Sequence, residues 1–159
     1  MIGAVISLVQ ILRRASVPHV AVLGRIPGTR TYSDAERHPD NETIPGILIF
    51  RPEVSCLYFN IGHIRDSIME RVRAAAARPK LVLIDLSSSP FMDLHSAEAL
   101  AAMASDLAAA GIRVRVVGAR ASVRERLRRE HASGRLGLAD RSLTLDDAVG
   151  EFLTTPTYQ

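Results

Sequence analysis

The stretch Leu81-Val82-Leu83-Ile84-Asp85-Leu86-Ser87-Ser88-Ser89-Pro90-Phe91-Met92-Asp93-Leu94-His95-Ser96, followed by an alanine-rich run, Gly111 and Ile112-Arg113-Val114-Arg115-Val116-Val117-Gly118, decides the fold. Its opening residues are apolar on both faces, as in a central parallel strand covered by helices. Ala97, Leu100, Ala101, Ala104, Leu107 and Ala108 then share one side at helical spacing. Gly111 is placed to end that helix in a left-handed conformation, and residues 112–117 return as a second strand. Strand, helix and parallel strand make a right-handed crossover, and the rest of the chain packs around it.

Outward from this unit, the 159 residues suffice for one domain with a real core. A hydrophobic fraction of 47% against 23% charged is ordinary globular composition. The net charge is only +3, and Lys80 is the sole lysine among 20 basic residues. With 4% aromatics and no basic stretch interleaved with them, a stacking platform for nucleic acid is not expected. One cysteine, Cys56, excludes an internal disulfide and a cysteine-based zinc site. It reads as a small buried hydrophobe.

Residues 1–12 are almost wholly apolar, and Arg13 and Arg14 come directly after them. The run is short of the roughly 20 residues a membrane span needs, and its charge lies on the wrong side for a signal peptide. Two readings stay open: an amphipathic helix docked on its own domain, or the tail of a longer membrane helix. In the second, the paired arginines place the remainder of the chain in the cytoplasm. Pro18 breaks the helix, and residues 19–25 read as a peripheral strand. Residues 26–45 are rich in turn formers and read as a surface excursion. Residues 47–51 make the next strand, ended by Pro52. The apolar run 57–59 is either a further strand or a continuation of it.

Asn60 is expected to cap a helix whose inner face carries Ile61, Ile64, Ile68, Val72 and Ala75. After residue 118, Ser122 and Glu125 match a capping box, with Val123, Leu127 and His131 facing inward and Gly134 and Gly137 ending the helix. Thr144 and Asp147 open a last helix that offers Ala148, Val149, Phe152 and Leu153 for packing. The sum is an α/β domain with about four helices on one sheet.

Ligands of α/β sheets sit at the carboxyl ends of strands. That place holds Ser87, Ser88, Ser89, Asp93, Leu94, His95 and Ser96. The free amides of a helix start favour an anion, while Asp93 in a purely capping role is the commonplace alternative. No nucleophile elbow, P-loop or His-x-x-x-His spacing is present, so no catalytic residue, metal or cofactor is assigned. The arginines at 120, 124, 126, 128 and 129 fit a solvated helix face, with acidic headgroups or nucleotide phosphates as the functional alternative.

The segment Ile84-Asp85-Leu86-Ser87, Phe91-Met92-Asp93, Ala97 and Leu100 resembles the signature of STAS domains, found in sulfate permease (SulP) transporters and in bacterial anti-sigma factor antagonists. Arg14, residues 18–25, Pro27-Gly28-Thr29, Tyr32, Pro39, residues 43–47, Phe50-Arg51 and residues 57–60 resemble the transporter branch. The resemblance implies a mixed sheet with helices mainly on one face. It divides the chain into a linker helix or end of the last membrane helix (1–16) and a STAS domain (17–155). It further implies a non-enzymatic regulatory module on the cytoplasmic side of the inner (plasma) membrane, attached to a membrane domain that moves sulfate, bicarbonate or dicarboxylates. Its implied partners are that membrane domain, a cytoplasmic protein or nucleotide, and a second copy through the full-length transporter. Nucleic acid is not among them. A free-standing antagonist-like switch is the alternative, but the serine those proteins phosphorylate directly after the loop aspartate is here Leu94.

Overall fold

The computed structural model describes residues 2–155. Its elements run α1 (Ile2–Ser16), β1 (Val20–Arg25), β2 (Tyr32–Asp34), β3 (Ile47–Pro52), α2 (Ile61–Ala74), β4 (Leu81–Asp85), α3 (Leu94–Ala109), β5 (Arg113–Val117), α4 (Ala121–Arg129) and α5 (Leu145–Thr154). The sheet order is β2-β1-β3-β4-β5. β1 lies antiparallel to both β2 and β3, while β3, β4 and β5 are parallel. The interior strand β4 is buried at all five positions, as its apolar run Leu81–Ile84 requires.

Alternation along the strands divides the core in two. Phe50, Val82, Ile84, Val114 and Val116 face α2, α3 and α4. Ile47, Ile49, Leu81, Leu83 and Val117 face α5, with Tyr32 and Ile44 alongside. Three helices therefore cover one face and a single short one the other. α5 starts at the expected capping box: Thr144 Oγ1 accepts from the Asp147 amide, and the Asp147 carboxylate accepts from the Thr144 amide. Gly111 ends the α3 turn at φ 78°, as its position in the sequence demands.

Several local expectations fail. The excursion over 26–45 contains the edge strand β2, so β1 is an interior strand. Residues 57–59 form a turn and not a strand. Ser122 caps nothing: α4 starts two residues earlier than that cap implies, with Arg120 at the cap position, and the Ser122 hydroxyl donates to the Pro90 carbonyl at 3.4 Å. α4 ends at Arg129, ahead of Gly134 and Gly137. Exposed His131 takes the left-handed conformation (φ 52°) just past it and does not face inward. On α3, Met103 is buried and Ala108 is exposed; the apolar stripe rotates slightly from its expected line. The docked reading of the first helix also fails, because α1 has no buried residue. Met1 lies outside the described residues.

Candidate functional site

The parallel strands β3 and β4 end at an ion pair. Arg51 donates to Asp85 Oδ2 from Nε (2.9 Å) and from Nη2 (2.7 Å). The other carboxylate oxygen, Oδ1, accepts the Ser87 amide at 2.9 Å. The pair fixes the direction in which the chain leaves β4. Ser87 and Ser88 are exposed, whereas Ser89 is buried and donates to the Val54 carbonyl at 2.7 Å. The serine run thus turns one hydroxyl inward to hold a second loop, residues 53–60, beside the first.

The two loops are laced by backbone. The Cys56 amide donates to the Phe91 carbonyl (3.1 Å), and the Asp93 amide donates to the Cys56 carbonyl (3.3 Å). Asp93 spans both loops with its side chain. Its Oδ1 accepts the Ser96 amide at 2.8 Å, capping α3, and its Oδ2 accepts the Tyr58 amide at 2.7 Å. Burial alone would raise this carboxyl. The bonds from Ser96 and Tyr58, together with the nearby His95, outweigh burial and hold it below the usual carboxylate range. Leu94 and His95 project outward, and Ser96 is buried with no partner for its hydroxyl among the described residues.

His95 lines a groove of about 420 Å³ between α2 and α3, with Tyr58, Ile61, Gly62, Arg65, Glu98 and Ala99. At its mouth Tyr58 and Phe59 meet edge to face at 5.5 Å. Tyr58 is 72% exposed, Phe91 66%, Leu94 46% and Phe59 43%, which makes an apolar rim along both loops. Cys56 lies beneath the rim, fully buried, and burial pushes its thiol up to about 11.

Sequence reasoning puts Ser87, Ser88, Asp93, Leu94, His95 and Ser96 on one loop and helix start, and the fold keeps them there. It misses the second half of the site, residues 53–60. A three-residue apolar run between Pro52 and a helix start is the available signal, since it shows none of the apolar–polar alternation of a half-buried strand. It also misjudges Asn60. This side chain makes no cap bond: Oδ1 accepts the Leu57 amide (2.9 Å), and Nδ2 donates to the carbonyls of Ser55 (3.0 Å) and Ala15 (3.2 Å). The last contact fastens the end of α1 to the aromatic loop.

A sequence profile of the STAS domain matches residues 38–148. The chain is 31% identical over 165 residues to low affinity sulfate transporter 3 of Stylosanthes hamata, covering 98% of this chain and 26% of that protein. It thus spans about a quarter of the length of such relatives. Among solved structures, murine Slc26a9, an anion transporter in the inward-facing state, superposes with a TM-score of 0.79 at 16% identity, covering 96% of this chain and 25% of that one. The STAS domain of a SulP transporter from Vibrio cholerae gives 0.59 at 18% identity, covering 75% and 90%. Identities this low speak for the fold alone, which agrees with the mixed sheet and helix arrangement found here. The profile match extends over more than half of the sequence, from the turn after β2 into α5, and on that basis the chain belongs to the STAS domain family.

Proposed function

We propose that this chain is the cytoplasmic-side regulatory and interaction module of a SulP-type anion transporter of the inner (plasma) membrane, and that it carries out no chemistry of its own. The observation that carries the reading is α1. Its apolar residues from Ile2 to Leu12 are exposed, its last turn carries Arg13 and Arg14, and Asn60 ties that turn to the domain. An apolar helix left bare by its own domain requires another apolar environment. At 15 residues it is about 22 Å long, short of a bilayer's hydrocarbon core, and no described helix is long and apolar enough to cross a membrane. We therefore assign α1 as the lower end of a membrane helix, with residues 17–155 as the module below it.

The loop bearing Ser87, Ser88, Asp93, Leu94, His95 and Ser96 is assigned as the module's contact surface. Asp93 already holds the amides that an anion would need and adds a negative charge there, which favours a macromolecular surface over free sulfate or nucleotide.

Two experiments test the reading. The cellular protein should be several times longer than this chain, with a long hydrophobic region ahead of it, and should support labelled sulfate, bicarbonate or dicarboxylate uptake. An endogenous protein whose mature N-terminus is Met1 would overturn it in favour of a free-standing switch. Amide spectra titrated with sulfate and nucleotides should leave residues 87–96 unmoved; saturable shifts clustered there would make the loop a ligand sensor.

A further inference from the structure

The apolar rim continues the surface on which α1 arrives. Asn60, next to Phe59, bonds the Ala15 carbonyl at the end of α1, and the Tyr58 amide bonds Asp93, next to Leu94. The Phe91 carbonyl receives the Cys56 amide. Tyr58, Phe59, Phe91 and Leu94 therefore stand together beside the helix that carries the exposed run ending at Leu12.

Cations flank this rim on both sides. Arg13 and Arg14 are exposed at the α1 end. On the far side Ser122 bonds Pro90, which brings the start of α4, with exposed Arg120, near Phe91, while half-buried Arg124 turns back and donates to the Ala119 carbonyl at 2.5 Å. None of these four arginines forms an ion pair among the described residues. Of the carboxylates nearby, Asp93 holds two amides, Glu125 faces Arg129, Glu98 lies in the groove with Arg65 and His95, and Glu53, at the start of the second loop, is exposed and forms no ion pair among the described residues. Exposed aromatics, one with a polar tip, ringed by unpaired arginines match the boundary of an acidic bilayer, where aromatic rings settle at headgroup depth and cations meet lipid phosphate.

We propose that Tyr58, Phe59, Phe91 and Leu94 form a bilayer-contact rim that rests on the acidic headgroup layer beside the exit of α1. The proposal relies on the membrane reading of α1 and adds a second, independent point of contact. Two points of contact would hold the domain at one tilt to the membrane, where α1 alone would let it swing about residue 17.

The chain has no tryptophan, so single Phe91→Trp, Ile6→Trp and Leu153→Trp variants of the whole chain each give one reporter. They are mixed with phosphatidylcholine–phosphatidylglycerol vesicles brominated on the acyl chains. The reporters at 6 and 91 should shift to the blue and be quenched, and the reporter at 153, on α5, should not. Quenching at 6 without quenching at 91 overturns the rim and leaves the membrane reading of α1 standing; no quenching at either overturns both. A concentration-dependent blue shift at 91 without lipid would show that a second copy covers the rim, and would overturn the proposal. Arg120→Gln in the Phe91→Trp background should lower vesicle binding about fivefold at low salt, and unchanged binding would remove the headgroup contact from the proposal.

Discussion

Arg51 and Asp85 stand opposite each other at the ends of two adjacent parallel strands, with both guanidinium donors directed at one carboxylate oxygen. The side chains are 24% and 6% exposed, so the pair is largely withdrawn from water. Removing one partner strands the other's charge. Arg51→Met is expected to cost about 3 kcal/mol of unfolding free energy in urea titration. Arg51→Met combined with Asp85→Asn should cost less than the two single changes added together, because the second change removes the stranded charge.

Gly118 completes the same corner. Its φ is +68°, and a Cβ there would stand 2.6 Å from Asp85 Oδ1 and 3.3 Å from the Ser87 amide. Gly118→Ala should destabilise by at least about 2 kcal/mol from conformational strain together with displacement of the carboxylate. Gly62, inside α2 with open space within 4 Å of where a Cβ would stand, provides the contrast. Gly62→Ala should stabilise by about 0.5–1 kcal/mol. Both are read from thermal and urea transitions.

Asp93 gives the fold an acid dependence with a defined sign. Its folded carboxyl lies below the usual range, so its contribution is fully present above the unfolded pKa of about 3.9 and is lost as pH falls through the folded value. Asp34, Asp146 and Asp147 are lowered too and act in the same direction. The melting temperature should therefore fall as pH is taken below about 4. Asp93→Asn should be less stable at neutral pH, by about 1–2 kcal/mol, and show a shallower acid decline. A decline as steep as that of the parent would mean that Asp93 takes no part in it.

Cys56 should be chemically silent in the folded chain. It is fully buried beneath the aromatic rim, and its thiol is raised to about 11, so little thiolate exists at neutral pH. A disulfide reagent should react in urea and not in buffer. Fast reaction in buffer would show that the lacing between residues 56 and 91–93 opens readily.

Much of this architecture is legible from patterns that depend on nearest neighbours in sequence. The apolar run Leu81–Ile84 of β4 announces a covered interior strand, Gly111 and Thr144 mark real helix boundaries, and the loop around Asp93 stands where a strand meets a helix. The errors share a different character. Asn60 and Ser122 have the right chemistry for caps, but the Asn60 Oδ1 accepts the Leu57 amide instead, and α4 begins ahead of Ser122, whose hydroxyl donates to the Pro90 carbonyl. Residues 57–59 look like a strand but form the turn that leads into α2, where the Leu57 carbonyl accepts the Asn60 and Ile61 amides. The short β2 is hidden in a turn-rich excursion, since three residues carry too little periodicity to be seen.

The sequence by itself determined the α/β class, the order of the main elements, the family signature and the absence of an internal disulfide, because each depends on residue type, count or spacing along the chain. Tertiary structure alone decided that residues 53–60 join residues 87–96 in one surface, that Asp93 closes both loops, and that α1 remains uncovered. Those outcomes depend on which groups the sheet brings within hydrogen-bonding distance. Asp93 and Tyr58 are 35 positions apart in the chain, and only the parallel pairing of β3 with β4 sets their two loops side by side.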